Sequence, residues 1–277
     1  MKKTYRLLAI VLAVVTLLLA SCGSSSDSDG ASTSATTAKA ADVTTTATDS
    51  LKGGITVSAA ASLTEAYTEI GKDFETAHPG TKVTFNFDSS GTLSQQILDG
   101  APVDAYTSAD EANMTKLTDK HLIDGTPTVI ARNQLIIVTK PGNPKGIKTL
   151  DDLSSAGIIS LCGLDVPCGK FAQQALDGAG VKIPETSITR GQNVKATLTA
   201  VTEGDAVAGV VYVTDADAAG DKVTAVDIPE AQNVIATYPA GVLAASKNID
   251  VAKAFVAYVA SDDGQAVLKE HGFLPPT

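Results

Sequence analysis

From Ile55 onward, short apolar runs of strand character alternate with stretches whose apolar residues recur at helical spacing, an order that leaves a chain few folds other than parallel α/β ones. ITVSA (55 to 59) reads as a strand, and Leu63, Ala66, Tyr67, Ile70 and Phe74 then mark one face of a helix that His78-Pro79-Gly80 stops. TKVTFNF (81 to 87) is a second strand, SSGTLSQQILDG a short helix, VDAYTSA (103 to 109) a strand and DEANMTKLTDKHL a helix. RNQLIIVTK (132 to 140) is rich in branched residues and reads as a buried strand. A second set follows: IISL (158 to 161), a helix from about Lys170 to Gly178, a helix from about Val194 to Val201, then AVAGVVYV (206 to 213) and VTAVDI (223 to 228). The last elements are NVIATYPAGVLAA (233 to 245), a helix carrying Val251, Phe255, Val256 and Val259, and a terminal helix around Ala266 to His271.

Ahead of this pattern stands MKKTYRLLAIVLAVVTLLLASC, where Lys2, Lys3 and Arg6 precede an apolar run that is short for a membrane span. Leu19-Ala20-Ser21-Cys22 resembles the bacterial lipobox, so residues 1–21 are expected to be a lipoprotein signal peptide and Cys22 the lipidated residue. A plain signal peptide or an N-terminal anchor helix is the alternative. Residues 22–53, dominated by Ser, Thr, Ala, Gly and Asp, bury too little apolar surface to offset chain entropy and read as a disordered tether. The globular part therefore begins near residue 54.

The chain holds 21 Lys and Arg against 31 Asp and Glu, a formal charge of −10. Without residues 1–21, which carry three cations and no acid, the balance is 18 against 31, or −13. Such a chain is a poor partner for nucleic acid, and if it takes an anion, local geometry must overcome the global field. Cys162 and Cys168 in LCGLDVPCGK are close enough in an exported chain to pair as a disulfide. His78, His121 and His271 are scattered without metal-ligand spacing.

The junctions between strands and helices carry the chemistry. Ser62-Leu63-Thr64-Glu65 has the form of a capping box, with Glu65 reaching back to the Ser62 amide. Ser90 stands at a similar junction before Gly91, and Ser108-Ala109-Asp110-Glu111 offers another capping pattern. In parallel sheets these junctions face a common crevice into which helix N-termini point, so free amides and hydroxyls there can hold an anion without any cation. Pro167-Cys168-Gly169 and Gln192-Asn193-Val194 open further helices, and Tyr212 ends a strand, where a tyrosine most often packs with its hydroxyl in water but could instead reach a ligand. Asp88 and Asp165 lie near these loops and read as solvated carboxylates.

Taken together, AAASL (59 to 63), FDSSGTLSQQI (87 to 97), GAPVDAYTSAD (100 to 110), VPCGKFAQQAL (166 to 176), GQNVKATLTAVTEGDAVAGVVYVTDA (191 to 216) and HGF (271 to 273) resemble the molybdate-binding lipoproteins of bacterial ABC importers. The resemblance implies a type II periplasmic-binding-protein fold: two α/β lobes, two crossing segments and an oxyanion clamped between them. It carries the family's serine ligands onto Ser62 and Ser90, its tyrosine onto Tyr212, and its two backbone donors onto Cys168 and Val194. Cys168 departs from the family, where a small residue such as alanine is common. The lobes are expected at 54–133 plus 238–277 and at 134–237, with crossings near Asn133 and Tyr238.

The function so implied is capture of molybdate, and of tungstate, for a permease and ATPase, by a lipid-anchored monomer on the outer face of the membrane. The metal enters only as the oxyanion; no cofactor, catalytic residue or nucleic acid is expected. The alternatives are a binder of sulfate or phosphate, an exported hydrolase, and a surface adhesion lipoprotein. The hydrolase is disfavoured because neither Ser62 nor Ser90 lies in G-x-S-x-G and no histidine stands in a recognisable constellation.

Overall fold

The computed structural model describes residues 51–277; the signal peptide, Cys22 and nearly all of the tether expected from the sequence lie outside the described residues. Strand β1 (Gly53–Ala60) leads through a 3-10 turn into helix α1 (Thr64–Ala77). Strand β2 (Thr81–Asp88), helix α2 (Ser90–Leu98), strand β3 (Ala105–Thr107) and helix α3 (Glu111–Thr118) complete a first set. After the long strand β4 (Ile123–Thr139) come β5 (Ile159–Cys162), α4 (Pro167–Gly178), β6 (Ile188–Gly191), α5 (Val194–Thr202), β7 (Ala208–Tyr212), α6 (Val213–Ala219) and β8 (Thr224–Asp227). Strand β9 (Ile235–Leu243) returns to the first set, and α7 (Ile249–Ala260) and α8 (Asp262–Glu270) close the chain.

The strands run in the order β2-β1-β3-β9-β4-β7-β5-β6, with β8 paired beside β4. β1, β2 and β3 are parallel, as are β5, β6 and β7. β4 and β9 are antiparallel to their neighbours, in the stretch where the sequence reading placed the crossing segments. In β4 the residues up to Gln134 pair with β9, and from Leu135 to Thr139 they pair with β7. One strand thus serves both halves of this mixed α/β fold. It begins nine residues earlier than the apolar run suggests, taking in Gly125 and Pro127 where the register with β9 shifts.

Each half carries its own buried surface. In the first, the α1 stripe of Ala66, Tyr67, Ile70 and Phe74 is buried as its spacing predicts, and Tyr67 and Phe74 meet Phe255 of α7 edge-on at 5.8 and 5.5 Å. Burying one such aromatic contributes about 1.5–3 kcal/mol. In the second, Leu161, Ala172, Leu176, Val201 and Val210 are buried between β5, β7 and the helices over them. Two elements escaped the sequence reading: β6, whose ITRG is half polar and has no apolar alternation, and α6, whose VTDADAA lacks an apolar stripe.

The two parallel sets bring the carboxyl ends of β1 and β2 to face those of β5, β6 and β7. The loops that leave these ends are those that carry Ser62, Ser90, Cys168, Val194 and Tyr212.

Candidate functional site

Those five residues line one small cavity, together with Ala60, Ala61, Ser89, Ala109, Pro167 and Asn193. It encloses about 220 Å³ of non-atom space, its mouth included. Its floor is made of small side chains, which lets a bulky guest approach the backbone. No lysine or arginine lines it among the described residues.

Ser62 does not cap a helix. It sits inside the 3-10 turn Ala61–Leu63, and α1 begins at Thr64 behind Leu63 with no side-chain cap. The capping-box reading therefore fails, for two reasons. The extra turn moves Ser62 out of the cap position, and Glu65 is drawn instead to Lys195, with oxygens 2.9 and 2.7 Å from its ammonium. The Ser62 hydroxyl lies 2.8 Å from that of Tyr238. The Tyr238 oxygen also lies 3.5 Å from the Asn133 amide nitrogen, which donates at 2.9 Å to Thr214 Oγ1. Either hydroxyl of this pair can donate; when Tyr238 donates to Ser62, the serine proton is left for the cavity.

Ser90 is likewise spared. Ser89 is the cap of α2, accepting from the Thr92 amide at 3.1 Å, while Ser90 Oγ accepts from the Ala109 amide at 2.9 Å. Because Ser90 Oγ already accepts, its own proton is available to a guest. At the Ser108 junction the cap is Asp110, which accepts from the Asn113 amide at 2.8 Å.

Cys168 and Val194 occupy the first turns of α4 and α5, whose opening amides have no intrahelical acceptor. The local caps serve other amides: Val166 O accepts from Gly169 and Lys170, and Asn193 Oδ1 from Ala196. Cys168 is joined to Cys162 in a disulfide with the Cα atoms 5.8 Å apart, so the loop between β5 and α4 is closed covalently at its cavity end. Gly169 packs so tightly there that a Cβ would collide with the Gly163 carbonyl.

Tyr212 stands at the cap position of α6, fully buried, and its hydroxyl has no hydrogen-bond partner among the described residues. Burial, then the nearby Tyr238, Asp215 and Asp110, hold the phenol well above its ordinary range; it remains a donor. Its ring meets Tyr238 at 6.2 Å, and Tyr238 meets Phe273 at 5.4 Å.

The carboxylates turn away. Asp165 is exposed and does not line the cavity. Asp88 is not a freely solvated group: it is half-buried and accepts from the Ser89 amide at 2.7 Å and from Asn193 Nδ2 at 2.9 Å. Asp215 is fully buried beside Lys195, 3.0 Å from its ammonium. Burial raises its carboxyl to about 6 against the opposing pull of Lys195. Burial lowers Lys195, but Asp215 and Glu65 outweigh it and the net shift is upward.

Sequence reading missed Tyr238 as anything but a crossing point, and missed Lys195 and Asp215 altogether. Lys195 follows Val194 directly and is the only cation in the first turn of α5, which was the available signal.

Two facing sets of strand ends around a small, donor-lined cavity define a periplasmic-type binding protein. The chain belongs to the family of bacterial extracellular solute-binding proteins, whose family model matches residues 55–274. It is 38% identical over 223 residues to the molybdate-binding protein ModA of Mycobacterium tuberculosis, covering 80% of this chain and 85% of that one. With ModA of Escherichia coli it shares 33% over 232 residues, covering 80% and 89%. Among solved structures it is similar to the periplasmic molybdate-binding protein of Azotobacter vinelandii, with a TM-score of 0.74 at 20% identity, covering 80% of this chain and all of that one. At that identity the likeness speaks for the fold alone.

Proposed function

We propose that the cavity holds molybdate, and tungstate of nearly the same size, and that the protein captures the anion outside the cell for a permease driven by an ATPase. The observation that carries this reading is the Tyr212 hydroxyl, buried without a partner at the wall of a cavity that Ser62, Ser90, Cys168 and Val194 also line. An unpaired buried hydroxyl costs about 1–3 kcal/mol, and an oxyanion at this spot would relieve it. The ModA relatives support the same ligand.

In this reading Ser62, Ser90 and Tyr212 donate through hydroxyls, and Cys168 and Val194 through amides. Charge-assisted bonds from neutral donors in a site closed to water suit a dianion. A ligand carrying a proton, such as hydrogen phosphate, would find no acceptor there, since Asp88 and Asp165 do not line the cavity. Sulfate is fully ionised and would be rejected by its smaller size. The exported hydrolase is poorly supported, because none of His78, His121 and His271 lines the cavity.

The change of partner in β4 between Gln134 and Leu135 supports a division into lobes at 54–133 plus 238–277 and at 134–237. Anchoring through lipid on Cys22, a monomeric state and the lack of a cofactor complete the proposal.

Differential scanning fluorimetry tests it. Micromolar molybdate is expected to raise the melting temperature, because a ligand that binds only the native state stabilises it; equal sulfate is expected to do little. Absence of a shift with both molybdate and tungstate sinks the assignment, and leaves a surface adhesion role as the better reading.

A further inference from the structure

Three consecutive residues at the start of α5 meet the cavity or the opposite half of the molecule. Val194 sits at the cavity, while its neighbours on both sides bond to the opposite half of the molecule. Asn193 accepts from the Ala196 amide with Oδ1 at 3.0 Å and donates through Nδ2 to Asp88 Oδ1, at the end of β2, at 2.9 Å. Lys195 reaches both oxygens of Glu65, in the first turn of α1, at 2.9 and 2.7 Å. α5 packs on β5, β6 and β7, whereas β2 and α1 belong to the first half. Both bonds therefore cross the cleft, one on each side of the Val194 amide. Another crossing pair, Lys170 with Asp110, is looser at 3.9 Å.

An exposed ion pair contributes little, because two long side chains must be ordered to make it. Lys195 differs in what lies behind it. Its other partner, Asp215, comes from its own half, is fully buried, and has neither carboxylate oxygen in a hydrogen bond among the described residues, so the ion pair with Lys195 is the contact that answers its charge. The ammonium is thus held at the cleft edge whether or not Glu65 is present. Its side chain is 27% exposed and that of Glu65 40%, so water screens the pair only in part.

We propose that Asn193 and Lys195, with Asp88 and Glu65 opposite them, are positioning residues for anion capture: they fasten α5 to the first half in the closed state and hold the Val194 amide against the guest. The inference rests on the oxyanion reading given above. Contacts present only in the closed state shift the equilibrium toward it and slow release, while the encounter with the open state is unchanged.

The test uses Glu65→Gln and Asp88→Ala, alone and combined, in the full chain with molybdate as the probe. Both variants leave the Lys195 pair with Asp215 in place. Stopped-flow and titration calorimetry are expected to give a dissociation rate raised about fivefold by each change and about twenty-fivefold by both if the sites are independent. Association should stay within about twofold. Added salt should speed release from the wild type more than from Glu65→Gln. Wild-type binding with unchanged release from the variants overturns this inference alone. A ligand-free melting temperature that falls in step with affinity also overturns it, by making the residues merely structural. A wild type that takes no molybdate overturns the oxyanion reading, and this inference with it.

Discussion

The hydroxyl of Ser62 lies 2.8 Å from the hydroxyl of Tyr238, a residue 176 positions further along the chain. The bond ties the turn after β1 to the strand that returns from the second half. It orients a serine that would otherwise spin freely, and Asn133 stands behind Tyr238 at 3.5 Å. Tyr238→Phe should keep the ring packing on Tyr212 and Phe273 and lose the orientation of Ser62. Titration calorimetry is expected to show molybdate binding weakened about fivefold by Tyr238→Phe, and about tenfold to a hundredfold by Ser62→Ala, which removes a charge-assisted bond itself. Wild-type affinity in Ser62→Ala would remove Ser62 from the site.

Tyr212→Phe separates binding from stability. The buried hydroxyl has no partner among the described residues, so deleting it should leave the ligand-free melting temperature unchanged or higher. The shift that molybdate produces in the wild type should shrink. A lower ligand-free melting temperature with the molybdate shift intact would show that the hydroxyl serves the fold and not the anion.

Asp215 makes stability depend on pH. Its carboxyl is raised from 3.8 to about 6 in the folded protein, so between those values folding takes up a proton. This group favours the folded state in acid, and that contribution is lost as the pH rises through 6; the difference is about 3 kcal/mol. Chemical denaturation at pH 5 and pH 7 is expected to show the wild type losing stability relative to Asp215→Asn over that interval. A constant difference between the two proteins would contradict the shift.

The Cys162 to Cys168 bridge closes a short loop whose far end carries a proposed anion donor. Reduction, or the pair Cys162→Ser and Cys168→Ser, should cost about 2 kcal/mol by the loop-entropy relation and should also weaken molybdate binding as the Cys168 amide loses its fixed place. Thermal melts with and without reductant, followed by calorimetry, read both effects. Unchanged affinity after reduction would mean that α4 holds residue 168 by packing alone.

Much of the scaffold was legible because local patterns carry it. The α1 stripe from Ala66 to Phe74, the helix openings at Pro167 and Val194, and the strand ending at Tyr212 follow from periodicity and from Pro and Asn at helix starts. The capping box at Ser62 shows where such patterns mislead. Ser-x-x-Glu is satisfied on paper, yet Glu65 has a lysine 130 positions away as a better partner, and the chain inserts a 3-10 turn ahead of α1. β4 was truncated in the sequence reading for a similar reason: Gly125 and Pro127 look like a stop, but pairing with β9 carries the strand through them.

The sequence by itself determined the alternating α/β order, the small and hydroxyl-bearing junctions after the strands, and membership of a binding-protein family. Only the tertiary structure decided which hydroxyls escape helix capping, that Tyr238 aims Ser62, that Tyr212 is left without a partner, and that Asn193 and Lys195 fasten the two halves. These are relations between side chains more than a hundred residues apart, or between a group and the water it no longer sees. Neither distance nor burial is written in local spacing; both appear once the two halves close on each other.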